Sequence, residues 1–211
     1  IGALPTASAQ SNTFTVDCNR GQTITQALRQ GDSRQPLVIN VRGTCREFLN
    51  ITRANVTLRG TPEAEIMAPD NAHDLVTISA DKVTLENLTL TGGLTGLTQN
   101  HQPSFVAQKV VVRDAGDIGV RVRVGDARLI DCTVQGAGRL GIAVSRGGSV
   151  TLSNGSEVLD SGGVGISATL HGVMSLVNSK VLRSGEEGIV LSEGSRGNIS
   201  GSEIKDNRAV G

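Results

Sequence analysis

Five times in this chain an apolar residue is followed seven positions later by glycine. The pairs are Val112 and Gly119, Val134 and Gly141, Val158 and Gly165, Val181 and Gly188, and Ile204 and Gly211. Successive pairs begin 22, 24, 23 and 23 residues apart, and residues 158–166 (VLDSGGVGI) are nearly repeated at 181–189 (VLRSGEEGI). Self-similarity at a fixed period of roughly 20 to 50 residues marks a solenoid, in which each repeat packs only against its neighbours. No other feature of the sequence restricts the fold as strongly.

The content of each repeat selects the kind of solenoid. After the first four glycines come short alternating stretches, VRV at Val120, IAV at Ile142, ISA at Ile166 and IVL at Ile189; others precede the opening residue, as in LENLTL from Leu85 and LIDCTV from Leu129. These are strand-length, of period two and rich in branched residues. No helical period follows residue 30, which excludes helical repeats, and the Leu/Asn consensus of leucine-rich repeats is missing. A coil of two or three short strands joined by tight turns is a rung of a parallel β-helix, stacked on its neighbours at about 4.8 Å. Stacking predicts ladders of like side chains: Val76, Leu97, Val120, Ile142, Ile166 and Ile189 form one inward ladder. Asn87, Asp131, Asn154 and Asn178 recur at one turn, where a left-handed backbone is expected, and the repeat glycines are expected to supply the others.

The rungs VTLENLTLTGG (83–93) and VTLSNGSEVLDSGGVGI (150–166) resemble the right-handed β-helix repeats of the pectin-lyase-like superfamily. The opening, GQTITQALRQ followed by PLVINVRGTCREFLNITRANVTLRG, is similar to that superfamily's entry, where a short amphipathic helix caps the open end. Here Ile24, Ala27 and Leu28 supply its apolar stripe and Thr23 or Thr25 its N-cap. The resemblance spans about residues 14–211. It implies an all-β, single-stranded right-handed parallel β-helix with an N-terminal capping helix, divided as 1–13 (disordered or a signal-peptide remnant), 14–36 (cap) and 37–211 (β-helix). The superfamily holds lyases, hydrolases, epimerases, adhesins and phage spikes, so activity must be argued from the site.

Ala7-Ser8-Ala9 after a short apolar stretch has the A-x-A form that signal peptidase cuts, and the reading is an exported protein: periplasmic, secreted or at the cell surface. Cys18 and Cys45 bracket the first structured segment and are expected to form a disulfide; Cys132 is left as a buried, inert thiol. The last repeat reaches its glycine only at Gly211. The expectation is an unfinished rung, covered by further sequence or another chain.

Acidic and basic side chains balance at 20 each, so no net field draws the chain to nucleic acid or an anionic membrane, and no apolar run has the length of a membrane span. Trp and Tyr are absent and Phe numbers 3, so the interior must be built from aliphatic residues. His73, His101 and His171 each lack a second His or Cys at ligand spacing, which predicts no metal site and no cofactor. Asp114, Asp117, Asp160, Glu186, Glu187 and Asp206 gather at one corner with Arg139 and Arg183, and read as compensated charge on a solvated edge.

The resemblance implies searchable active sites: paired aspartates with Gly-His-Gly and Arg-x-Lys in hydrolases, Asp-His after a Trp strand in pectate lyases, Asp-Pro-His in epimerases. None is present, and no catalytic residue is carried over. What remains is one face. If Val120, Val122 and Val124 point inward, Arg121 and Arg123 point outward over neighbours such as Ser145 and Ser167, which reads as a shallow basic groove for an acidic polysaccharide. The sequence-level function is an exported non-catalytic module, binding polysaccharide or serving as a surface scaffold. The alternative is a polysaccharide lyase, hydrolase or epimerase with an unrecognised site.

Overall fold

The computed structural model describes residues 12–62, 64–101 and 103–209; the A-x-A segment and Gly211 lie outside them. The chain winds as a right-handed parallel solenoid of about eight turns. Its strands fall into three parallel sheets of nine, eight and seven strands, here sheets A, B and C, and each rung visits them in that order. The nine-stranded sheet opens with Asn12–Asp17, which pairs in parallel register with Leu37–Arg42. The first strand therefore precedes the cap helix, and residues 12 and 13 belong to the sheet rather than to a leading segment ending at 13.

Stacking follows the predicted ladder. Val76, Leu97, Val120, Ile142, Ile166 and Ile189 are in register through sheet C, and Leu49 extends the row. In sheet A, Ile39, Leu58, Leu85, Ala107, Leu129, Leu152 and Leu176 form a second buried ladder. Sheet B stacks Cys45, Ile66, Leu90, Val112, Val134, Val158 and Val181. Phe105, the one fully buried aromatic, sits between Val83 and Ala127, so a small neighbour makes room for a large one. Each side chain buries its apolar area against the same kind of side chain one rung away, which is how an interior with almost no aromatics is filled.

The turn from sheet A to sheet B carries a residue in the left-handed region, Asn87, Asp131, Asn154 or Asn178, with φ between 49° and 56°; Gly155 follows Asn154 in the same region with φ 79°. Lys109 fills the same place with φ 53°, unannounced by its residue type. At the next corner Asp114, Asp160, Arg183 and Asp206 take the left-handed conformation.

The repeat glycines have another cause than the one expected. Gly119, Gly141, Gly165 and Gly188 are not left-handed; they lie where two rungs touch. A Cβ on Gly165 would stand 2.5 Å from the Gly188 carbonyl oxygen and 2.5 Å from Val181 Cγ1; on Gly141 it would meet Val158 Cγ1 at 2.4 Å and the Gly165 oxygen at 2.6 Å. A second stack, Gly138, Gly162 and Gly185, is tighter still, at 2.1 to 2.2 Å from the carbonyl oxygen one rung back. The constant offset of seven thus reflects a contact between a glycine and the branched residue opening the next repeat, not a turn requirement.

The N-terminal end is closed by the helix Ile24–Leu28, which buries Ile24 and Ala27. Thr23 is its N-cap, accepting from Gln26 N. The Thr25 hydroxyl instead donates to Glu47, whose carboxylate also accepts from the backbone N–H of Ile24 (2.7 Å) and Thr25 (3.0 Å). That places a negative charge on the unpaired donors of the first turn. The Cys18–Cys45 disulfide ties this cap to the first rung, while Cys132 is free and buried. At the other end Leu191, Ile199 and Ile204 are exposed and line an apolar cavity of about 620 Å³.

Candidate functional site

Sheet C carries the face singled out by the arginines. Along its strands Val120 and Val122 are buried, so Arg121 and Arg123 alternate outward. Register then fixes their neighbours. Asn50, Thr77, Thr98, Arg121, Ala143 and Ser167 form one outward row, and Ser145 lies beside Arg123. Six strand spacings of about 4.8 Å give this face a length of about 29 Å, floored mostly by short polar side chains.

The two arginines differ in kind. Arg121 is half-buried and held between two carboxylates, Nη1 at 3.5 Å from Asp74 Oδ2 and Nη2 at 3.8 Å from Asp117 Oδ2. Thr98, itself buried, donates to the same Asp74 oxygen at 2.6 Å. Asp117 is in turn gripped by Arg139 through Nε (2.7 Å) and Nη2 (2.9 Å). This network is a chain of alternating charge, and the basic groove expected around Arg121 is neutralised there. The signal that sequence reasoning missed is Asp74, which reaches Arg121 from two rungs away.

Arg123 is unpaired among the described residues. Its side chain is exposed and has no acidic partner among the described residues. Its backbone is fixed by Gln99, a buried side chain whose Oε1 accepts from Arg123 N at 3.0 Å and whose Nε2 donates to the carbonyls of Pro103 (2.6 Å) and Val124 (2.9 Å). A fully satisfied buried amide at the strand end sets where the next turn begins, and so sets the position from which Arg123 projects. Ser145 and Ser167 are half-buried members of the floor, Ser145 in register with Arg123 and Ser167 two rungs from Arg121.

At the corner, the expected compensation of charge is present as two bidentate pairs, Asp117 with Arg139 and Asp160 with Arg183. Each guanidinium holds its carboxylate below the usual range, and burial opposes the effect. Burial pushes Glu65 up, but the Thr91 hydroxyl and Arg113 together outweigh it and leave the carboxyl lowered. Among the described residues one group of possible metal ligands is brought together, Cys18, Cys45 and Glu47. There the two sulfurs are bonded to each other and the carboxylate is spent on the helix N-terminus, so the donor set does not suit a metal. His73 stands exposed against Phe48, ring centroids 5.3 Å apart. No helix among the described residues is long and apolar enough to cross a membrane.

Comparison with known proteins agrees with the architecture. No curated protein is significantly similar in sequence. Among solved structures, the pectin methylesterase of Aspergillus niger superposes with a TM-score of 0.65 over 99% of this chain and 88% of that one, at 15% sequence identity. A likeness at that identity concerns the fold. The model of the right handed beta helix region matches residues 93–211, more than half of the sequence. Ladder, register and family model coincide over the same rungs, and the chain belongs to the right-handed β-helix family.

Proposed function

We propose that this β-helix is an exported module that binds an acidic polysaccharide along the outward face of sheet C. The observation that carries the reading is Arg123: an exposed guanidinium with no acidic partner among the described residues, on a long floor of short polar side chains. Such a floor lets a polymer lie along the solenoid axis, and a guanidinium offers paired donors to a carboxylate or sulfate. The disulfide supports an oxidising compartment. The choice of a uronic polymer follows the pectin methylesterase with which the fold superposes.

The binding reading is preferred to catalysis because the motifs that mark the superfamily's catalytic sites do not occur in the sequence, and Glu65, Asp117, Asp160 and Glu203 are held more acidic by hydroxyl or cationic partners. A general acid at neutral pH needs the opposite shift. One observation favours the second reading, an enzyme acting on such a polymer: Asp74 and Asp117 flank a single guanidinium on this face.

Affinity electrophoresis in gels containing polygalacturonate separates these readings. The wild type is expected to be retarded, less so as salt rises, because exposed contacts are screened over about 8 Å at physiological ionic strength. Arg123→Ser is expected to run unretarded while keeping its circular dichroism. Equal retardation of both proteins removes the binding face. Release of methanol or of unsaturated or reducing ends from pectin, abolished by Asp117→Asn, establishes the enzyme instead.

A further inference from the structure

A second groove lies on another face. Across the outside of sheet A, over the strands Val83–Glu86, Phe105–Gln108, Asp126–Ile130 and Ser149–Ser153, runs a depression of about 600 Å³. That volume falls within the range of small-ligand sites. Register arranges its lining in two rows. Lys82, Ser104, Asp126 and Ser149 stand one residue before the buried, stacked Val83, Phe105, Ala127 and Val150. Thr84, Val106 and Arg128 form the row beside it.

Lys82 and Arg128 are both exposed, and neither has an acidic partner within salt-bridge distance among the described residues. They are two rungs apart and one row apart, which from strand geometry sets their Cα atoms about 12 Å from each other. That separation suits successive charged groups on a chain better than one small anion, which would have to draw both side chains together over Val106. The lining also mixes donors and acceptors. Asp126 repels a bare polyanion but accepts from hydroxyls, and the Ser104 and Thr84 hydroxyls can both donate and accept. An acidic saccharide offers carboxylate or sulfate to the cations and hydroxyl groups to Asp126; polyphosphate and a DNA backbone offer anionic oxygens without hydroxyls.

We propose that this groove is a second, separate site for an acidic oligosaccharide. It depends on the sheet C reading for the choice of probe and not for its residues. Because sheets A and C face different directions, one short oligosaccharide cannot occupy both, and the intact protein should bind two.

Isothermal titration with hexagalacturonate and with a heparin-derived hexasaccharide tests this. Lys82 has φ 57°, so Lys82→Asn keeps a residue that tolerates the left-handed backbone, and Arg128→Thr matches Thr151, its register partner on the next rung. The expected result with at least one probe is two sites in the wild type and one in the Lys82→Asn, Arg128→Thr protein. Arg123→Ser should also leave one, and the triple variant none. Asp126→Asn is expected to weaken the sheet A site at least fivefold for the saccharide and to strengthen binding of inorganic polyphosphate. A wild type that binds at one site lost only with Arg123 overturns the groove and leaves the sheet C reading intact. One site lost only with Lys82 and Arg128 does the reverse. Absence of binding with both probes, or polyphosphate bound in preference to them, overturns the groove as a saccharide site.

Discussion

Replacing Gly165 by alanine isolates what the repeat glycine is for. The new Cβ would sit 2.5 Å from the Gly188 carbonyl oxygen and 2.5 Å from Val181 Cγ1, where ordinary contacts are 3.4–4 Å. Relief requires the two rungs to part by about 0.9 Å at a point where Gly165 N donates to Glu187 O at 3.0 Å and Ile166 N to Gly188 O at 2.9 Å. A movement of that size takes both bonds beyond hydrogen-bonding distance. Losing two such bonds costs about 1 to 3 kcal/mol, and overpacking a filled core typically costs about 1 to 3 kcal/mol. The two terms overlap, because the same displacement produces both, so the expected loss is about 3 kcal/mol. Gly155→Ala is the matched control. Gly155 has φ +79° with nothing within 4 Å of the added Cβ, so its cost is the left-handed strain alone, about 1 kcal/mol. For a domain of this size the thermal midpoint should fall by about 6 to 12 °C in the first variant and about 2 to 4 °C in the second. Calorimetry or circular dichroism at matched scan rates measures both. Equal losses, or a larger loss at Gly155, would refute the close-contact account and restore a turn requirement.

Reduction of the Cys18–Cys45 bond, which closes a separation of 27 residues, should destabilise the fold by about 3.5 kcal/mol in the chain-entropy model; thiol titration of the denatured, unreduced protein should find one free group, and three would contradict the pairing. Glu47→Ala leaves the Ile24 and Thr25 amides without their acceptor and should cost about 1 to 2 kcal/mol, read as a lower urea midpoint; an unchanged midpoint would mean water replaces the carboxylate at no loss. Asp117 and Asp160 have carboxyl groups held below their ordinary value of 3.8 by Arg139 and Arg183. Their contribution is therefore present above that value and is lost as pH falls through the lowered one. Stability should decline below about pH 4, and less so in Arg139→Gln; identical acid limbs for the two proteins would show that the pair contributes nothing.

Most of the fold was legible because a parallel β-helix forces like residues to recur at one period, and Val76, Leu97, Val120 and Ile142 display that period directly. The turn asparagines were legible for the same reason. Lys109 was not, because a lysine carries no preference for left-handed backbone and is held there by the rungs on either side. The role of Gly165 was not legible, because the contact that demands it, the Gly188 carbonyl, lies one rung away and is invisible to local turn chemistry. The site divides similarly. Alternation alone turned Arg121 and Arg123 outward, but whether a guanidinium is free depends on what other rungs bring to it. Asp74 reaches Arg121 from two rungs back, whereas Arg123 meets only Ser145 in register. The sheet A groove combines Lys82 and Arg128 across the same kind of interval, and a linear reading has no way to pair them.

Chemical protection of arginine tests the binding face most directly. With an arginine-specific dicarbonyl reagent and peptide mass spectrometry, Arg123 should be modified readily in the free protein, since it is exposed and unpaired. Saturating hexagalacturonate should then slow modification of Arg123, while Arg46, exposed on sheet B, keeps its rate. Arg123 modified at the same rate with and without the oligosaccharide, in a protein that still binds it, would contradict the proposal that an acidic polysaccharide lies along sheet C.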